Sequence, residues 1–364
     1  MSALTFRCGA GHLHAADTLV RVGGTHQRHY TVDMHCHVLT LAAETLVEHR
    51  PERKAAGDGM MKSMTPDSVD YTLNVMLKQA FPKLTNLQQR FADMDAMGVD
   101  LQVMSPAPNQ FNYWADAELA RELVRTVNEH IAALCGQHPD RLLGMGTVAM
   151  QHPELCIEQL EYAVKTLGLK GVEISSQIGG LEIADPKFER FWAKCEQLGC
   201  VVFLHPLGTT LGERVRSYYL SNHLGQPLEH AVALSHMIFG GVLDRYPGLK
   251  LFAAHGGGYL AAHIGRADHA WQARPDAHTC KLAPSEYLKR IWFDTIVYRA
   301  SSLRHLAAEA GVSQLIIGTD YPYDMAHYGM HELVGSVAEF SDADRAAILG
   351  GNALRLLGLP PRLV

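Results

Sequence analysis

The 364-residue chain has no C-x-x-C pair, no long basic run and no apolar stretch near the roughly 18 residues of a membrane-spanning helix. Its seven cysteines are scattered and odd in number, which excludes a disulfide framework and predicts reduced thiols in a cytoplasmic protein. Met1 to Cys8 lack the charged-then-apolar order of a secretory signal. A net charge of −6 without clustered Lys or Arg argues against a nucleic-acid or anionic-membrane partner. No Gly-x-Gly-x-x-Gly follows an early strand, and Gly256-Gly257-Gly258 comes too late to be a dinucleotide-binding first turn.

What is present is a large apolar inventory, 47% of residues, enough for one α/β barrel or two smaller domains. Short apolar runs begin near residues 31, 99, 142, 171, 201, 249, 291 and 315, each followed by helical periodicity. Most lack alternation, as strands buried on both faces do. Eight such units predict an α/β fold of the (β/α)8 TIM-barrel type, with an open doubly wound sheet as the rival. The polar, glycine-containing residues 1–29 read as a short N-terminal arm, and 30–364 as the barrel domain. Residues 40–80 read as a long connection after the first strand, either a lid-like insertion or a surface excursion.

Active sites of such barrels gather at the C-terminal ends of the strands. The first strand delivers His35 and His37, which strand alternation points to one side, with Cys36 facing away. The fifth ends at His205, the sixth at His255, the seventh at Asp294 and the eighth at Asp320. His12-Leu13-His14, with Cys8, is a rival ligand group but has no barrel strand behind it. Three imidazoles (His35, His37, His205) and the Asp320 carboxylate form a ligand set for one divalent ion that suits zinc and admits manganese. The resulting positive charge suits a small anionic substrate. His255 is the candidate general acid/base. Asp294 is either a group orienting a ligand or a turn carboxylate, and Glu173 a bridging group, a second-shell carboxylate or a barrel-interior residue.

Asp33-Met34-His35-Cys36-His37, His205-Pro206, Phe252 to Gly258 and Ile317 to Pro322 resemble the amidohydrolase superfamily, over about residues 30–360. More closely they resemble its decarboxylase branch, typified by 2-amino-3-carboxymuconate-6-semialdehyde decarboxylase. The resemblance implies a metal-dependent, non-oxidative decarboxylase of an unsaturated or aromatic carboxylate. Its ligands would be His35, His37, His205 and Asp320, with His255 the acid/base; on the chemistry alone, His255 or Asp320 delivers the proton to carbon. It further implies a homodimer in which Arg266 reaches a substrate carboxylate across the interface. The chain departs from the family in three places. Met76 to Lys83 lacks the family's second arginine, leaving Lys78 as a substitute; Leu207 replaces a tryptophan; and the 40–80 region is longer. A hydrolase or hydratase using a metal-activated water is the alternative, and a non-catalytic barrel the third reading.

Overall fold

The computed structural model describes residues 29–362; the expected arm, with Cys8, His12 and His14, lies outside them apart from His29. Eight barrel strands are present: β1 (Val32–Val38), β2 (Leu101–Pro106), β3 (Leu142–Gly144), β4 (Gly171–Ile174), β5 (Val201–Leu204), β6 (Lys250–Ala253), β7 (Trp292–Asp294) and β8 (Leu315–Ile316). Each starts within two residues of its expected position. All pair in parallel, β1 to β3 in one run and β4 to β8 in the other. Two seams join the runs into a ring. At one, Gly146 N–H donates to Gly171 O at 2.9 Å and Glu173 N–H to Gly146 O at 2.8 Å. At the other, Met34 N–H donates to Ile317 O at 2.9 Å and His37 N–H to Tyr321 O at 2.8 Å.

The barrel interior is filled by alternate strand residues, among them Val32, Met34, Val103, Phe203, Phe252 and Ile316. Ala353, Leu354 and Leu356 of the last helix (Asn352–Leu357) join this cluster and plug the N-terminal end. A separate, larger apolar layer lies between strands and outer helices and includes Cys36 and Val38. The register of β1 against β2 slips between Asp33 and Cys36. This bulge lets Met34 and His35 both face inward, so the strand can fill the core below and still arm the mouth above.

The 40–80 region differs from the expectation of a loop. It is helical, with segments at Leu41–Val47, Pro51–Met61 and Pro66–Tyr71, then a π turn and Leu77–Thr85. Helix Pro51–Met61 buries no residue, so it carries no apolar stripe for periodicity to detect. A small hairpin after β4, Gln177–Ile178 with Leu181–Glu182, was also not expected, because two-residue strands show no alternation. Among the described residues no helix is long and apolar enough to cross a membrane.

Candidate active site

His35 and His37 leave β1 on the same side, and His205 follows β5 two residues after the inward-facing Phe203. The His35 ring stands edge-on to Phe203 at 4.9 Å, so the apolar core below fixes its tilt. All three imidazoles are held by their Nδ1 atoms. His35 donates to Asp294 Oδ2 at 2.7 Å, His37 to Pro106 O at 3.1 Å and His205 to Pro206 O at 2.9 Å. That fixes the orientation of each ring and turns each Nε2 inward. The three Nε2 atoms and Asp320 Oδ1 are buried without hydrogen-bond partners. These four donor atoms lie within 4.8 Å of one another. Asp320 Oδ1 is 3.4 Å from His35 Nε2 and 3.3 Å from His37 Nε2. Ligands at roughly 2.1 Å from one ion stand about 3.0–3.5 Å apart, so the donors present fit a divalent cation.

Burial and charge act differently on each of the four donors. Burial favours the neutral form of His35, but the Asp320 and Asp294 carboxylates outweigh it and raise its pKa to about 10. Burial, aided by charge on the neighbouring rings, keeps His205 neutral, and burial likewise lowers His37. Burial opposes ionisation of Asp320, yet the charge on His35 and the contacts of the three surrounding histidines hold it well below the usual carboxylate range.

Asp294 ties the site together. Besides His35, it accepts His255 N–H (2.8 Å) at Oδ2, and Gly256 N–H (2.8 Å) and Ile296 N–H (3.0 Å) at Oδ1. Those bonds hold His255 at φ +53°, and Asp320 sits at φ +58°. Such conformations cost of order 1–3 kcal/mol each and persist where surroundings dictate them. For Asp320 the support is Asp33, whose carboxylate accepts Thr319 N–H (3.0 Å), Thr319 Oγ1–H (2.6 Å) and Gln102 Nε2–H (2.9 Å). His255 Nε2 lies 3.6 Å from Asp320 Oδ2, and both residues line a cavity of about 570 Å³. Its walls are largely apolar or phenolic, with Ile296, Val297, Tyr298, Pro227 and Leu306 among them.

The remaining expectations fare differently. Glu173 is fully buried 3.9 Å from His37 Nδ1, behind that ring and away from the four donor atoms. Burial raises its pKa well above the usual value, and it is not one of the four clustered donors. Lys78 is exposed on helix Leu77–Thr85 and donates to Asn74 Oδ1 at 3.1 Å. Arg266 is exposed on helix Ile264–Ala273, and neither cation lines the cavity. Within one chain, then, both sit on outward faces of surface helices, away from the cavity, and the role expected of Arg266 lies across a dimer interface rather than in its own chain's cavity. One residue escaped sequence reasoning. His230, on helix Gln226–Phe239, is fully buried with Nε2 3.2 Å from His255 Nδ1. The available signal was the polar pair Glu229-His230 on the buried side of that helix, but its connection to a strand end 25 residues later was not legible.

Comparison with known proteins fits this geometry. The amidohydrolase family profile matches residues 32–359. The chain is 38% identical over 274 residues to the 2-amino-3-carboxymuconate-6-semialdehyde decarboxylase of Dictyostelium discoideum, covering 75% of this chain and 76% of that one. The solved 5-carboxyvanillate decarboxylase of Sphingomonas paucimobilis superposes with a TM-score of 0.77 at 25% identity, over 92% of this chain and all of that one. The dihydroxybenzoic acid decarboxylase of Polaromonas sp. JS666, solved with manganese and 2-nitroresorcinol, superposes with a TM-score of 0.74 at 25% identity, over 91% and 97%. On the profile match, the identity to its relatives and the shared barrel, the chain belongs to the amidohydrolase family.

Proposed function

We propose that this protein is a metal-dependent, non-oxidative decarboxylase of an aromatic or unsaturated carboxylate. The observation that carries the reading is the set of four orphaned donor atoms beside His255, which together with Asp320 lines a largely apolar cavity. His35, His37, His205 and Asp320 would hold the ion. Bound there, it supplies positive charge for the substrate carboxylate and for the negative charge that develops as CO2 departs. As an imidazolium, His255 delivers its Nε2 proton to the carbon bearing the carboxylate. The carbon–carbon bond then breaks, its electron pair stays with the carbon skeleton, and CO2 leaves. Asp320 Oδ2 lies 3.6 Å from His255 Nε2, and after transfer the imidazole regains a proton from water through the cavity.

Three imidazoles and a carboxylate suit zinc and admit manganese, the ion in the Polaromonas relative. The substrate is a small anion. The exposure of Arg266 leaves it available to a second copy, which supports a homodimer with Arg266 acting across the interface. The six cysteines among the described residues are unpaired, in keeping with a cytoplasmic enzyme. A panel of carboxylated phenols, muconate semialdehydes, lactones and amides tests the reading. Release of CO2 with a product one carbon shorter is expected. Hydrolysis of lactones or amides without CO2 from any acid would replace it with the hydrolase alternative.

A further inference from the structure

The His230 imidazole is the only polar side chain recorded against the far edge of His255 among the described residues. Its Nε2 lies 3.2 Å from His255 Nδ1, with ring centroids 5.3 Å apart and planes at 73°. We infer that His230 is a positioning residue: it grips His255 by Nδ1 and so aims His255 Nε2 at Asp320 and the cavity. The role rests on the decarboxylase reading insofar as His255 is the proton donor.

Three observations carry it. First, His230 is fully buried and its Nδ1 has no partner, so the bond to His255 is the one recorded return for burying a polar ring. Second, the helix bearing it is seated with care. Glu229 accepts Thr209 Oγ1–H (3.1 Å), Thr210 N–H (2.6 Å) and Thr210 Oγ1–H (2.8 Å), anchoring the helix to the segment after His205. At Gly258, φ +67°, any Cβ would fall 1.8 Å from Pro227 O, so glycine lets the helix start close against the turn that carries His255. Third, the backbone of His255 is pinned by Asp294, but that leaves the side-chain torsions free; a contact on the ring is needed to choose among rotamers. Histidine suits this position chemically. Burial and the proximity of His255 keep His230 neutral. A neutral imidazole donates to a bare Nδ1 and accepts from a protonated one, so the grip survives both charge states of His255. A carboxylate could only accept.

The test compares His230→Gln, whose amide reaches the position of Nε2, with His230→Phe, which keeps the ring volume and loses the hydrogen bond. Each is assayed as the metal-loaded enzyme for kcat, KM, metal content and thermal stability, and its crystal structure is determined. A misplaced catalytic group costs on the order of a hundredfold, so His230→Phe should lose about that in kcat with KM and metal content unchanged. His230→Gln should stay within about threefold of the parent, recovering a large part of a loss of that size. Stability should rank the other way, with Phe at least as stable, because it removes an unpartnered buried nitrogen. The crystal structures should show a single His255 rotamer with Gln and a displaced or split ring with Phe. A His230→Phe enzyme with an undisturbed His255 ring overturns the inference. So does an activity ranking that follows stability. The ring position is read whether or not any tested acid is decarboxylated, so failure of the functional reading stays distinguishable.

Discussion

His35 is the residue whose chemistry depends most on its surroundings. Free histidine titrates near 6.5, but here the two carboxylates hold the ring protonated up to about 10. A cation entering the site must displace that proton, whereas His37 and His205 are already neutral and Asp320 already ionised. The sign follows: below pH 10 the ligand is blocked, so affinity should rise about tenfold per pH unit across the neutral range, with about one proton released per ion. Calorimetric titration in buffers of different ionisation enthalpy measures both, and a pH-independent affinity would contradict the assignment. His255 separates binding from chemistry. Its Nε2 is not one of the four clustered donors. His255→Ala should keep its metal by elemental analysis and lose about 10²–10⁴-fold in turnover. The four ligand candidates were legible because each follows a strand, and strand ends converge in a barrel. His230 was not, because it reaches the site from a helix. Arg266 and Lys78 rest on resemblance alone, since an exposed cation on a surface helix has no strand end behind it to fix its place.

At the scale of elements, β1 is held from outside by a buried cation. Arg90, on helix Leu87–Met97 and 1% exposed, donates to Gln102 Oε1 at 2.9 Å and to the carbonyl of His37. Its guanidinium also stacks 4.9 Å from the Tyr321 ring centroid. Gln102 passes the link on to Asp33, and so to the Thr319-Asp320 turn. Arg90→Met would fill similar space but strand a carbonyl and an amide. Urea unfolding should show a loss of about 3 kcal/mol. A change under about 0.5 kcal/mol would mean that water replaces the lost donors. Strands and inter-strand helices were legible because their burial writes a pattern. Helix Leu87–Met97 even shows its stops, with Asn86 Oδ1 accepting Gln88 N–H at 2.9 Å and Gly98 at φ +71°. Helices Pro51–Met61 and Pro66–Tyr71 left no such pattern because they bury no residue. Just after them, Leu73, Leu77 and Phe81 remain exposed.

For the whole molecule, closure of eight strands makes distant residues neighbours. His35 and Asp294 are 259 positions apart yet share a 2.7 Å hydrogen bond. The barrel was readable because the strand count and lengths admit few alternatives; its assembly was not, since an interface leaves no period in the sequence. If Arg266 acts across a dimer, His255→Ala and Arg266→Ala homodimers, each impaired, should recover activity when mixed under exchange. Random reassortment leaves half the subunits in mixed dimers, each with one intact site, so about a quarter of parental activity is expected. No recovery in a verified mixed dimer would place Arg266 outside the site.

The central claim is that one ion and these ligands drive loss of CO2. The most direct measurement follows ¹³CO2 from a carboxyl-labelled aromatic acid in metal-stripped and reloaded enzyme, beside Asp320→Asn. Release should vanish on stripping, return in proportion to about one ion per chain, and stay absent in Asp320→Asn. Undiminished ¹³CO2 release from verified metal-free protein would contradict the account.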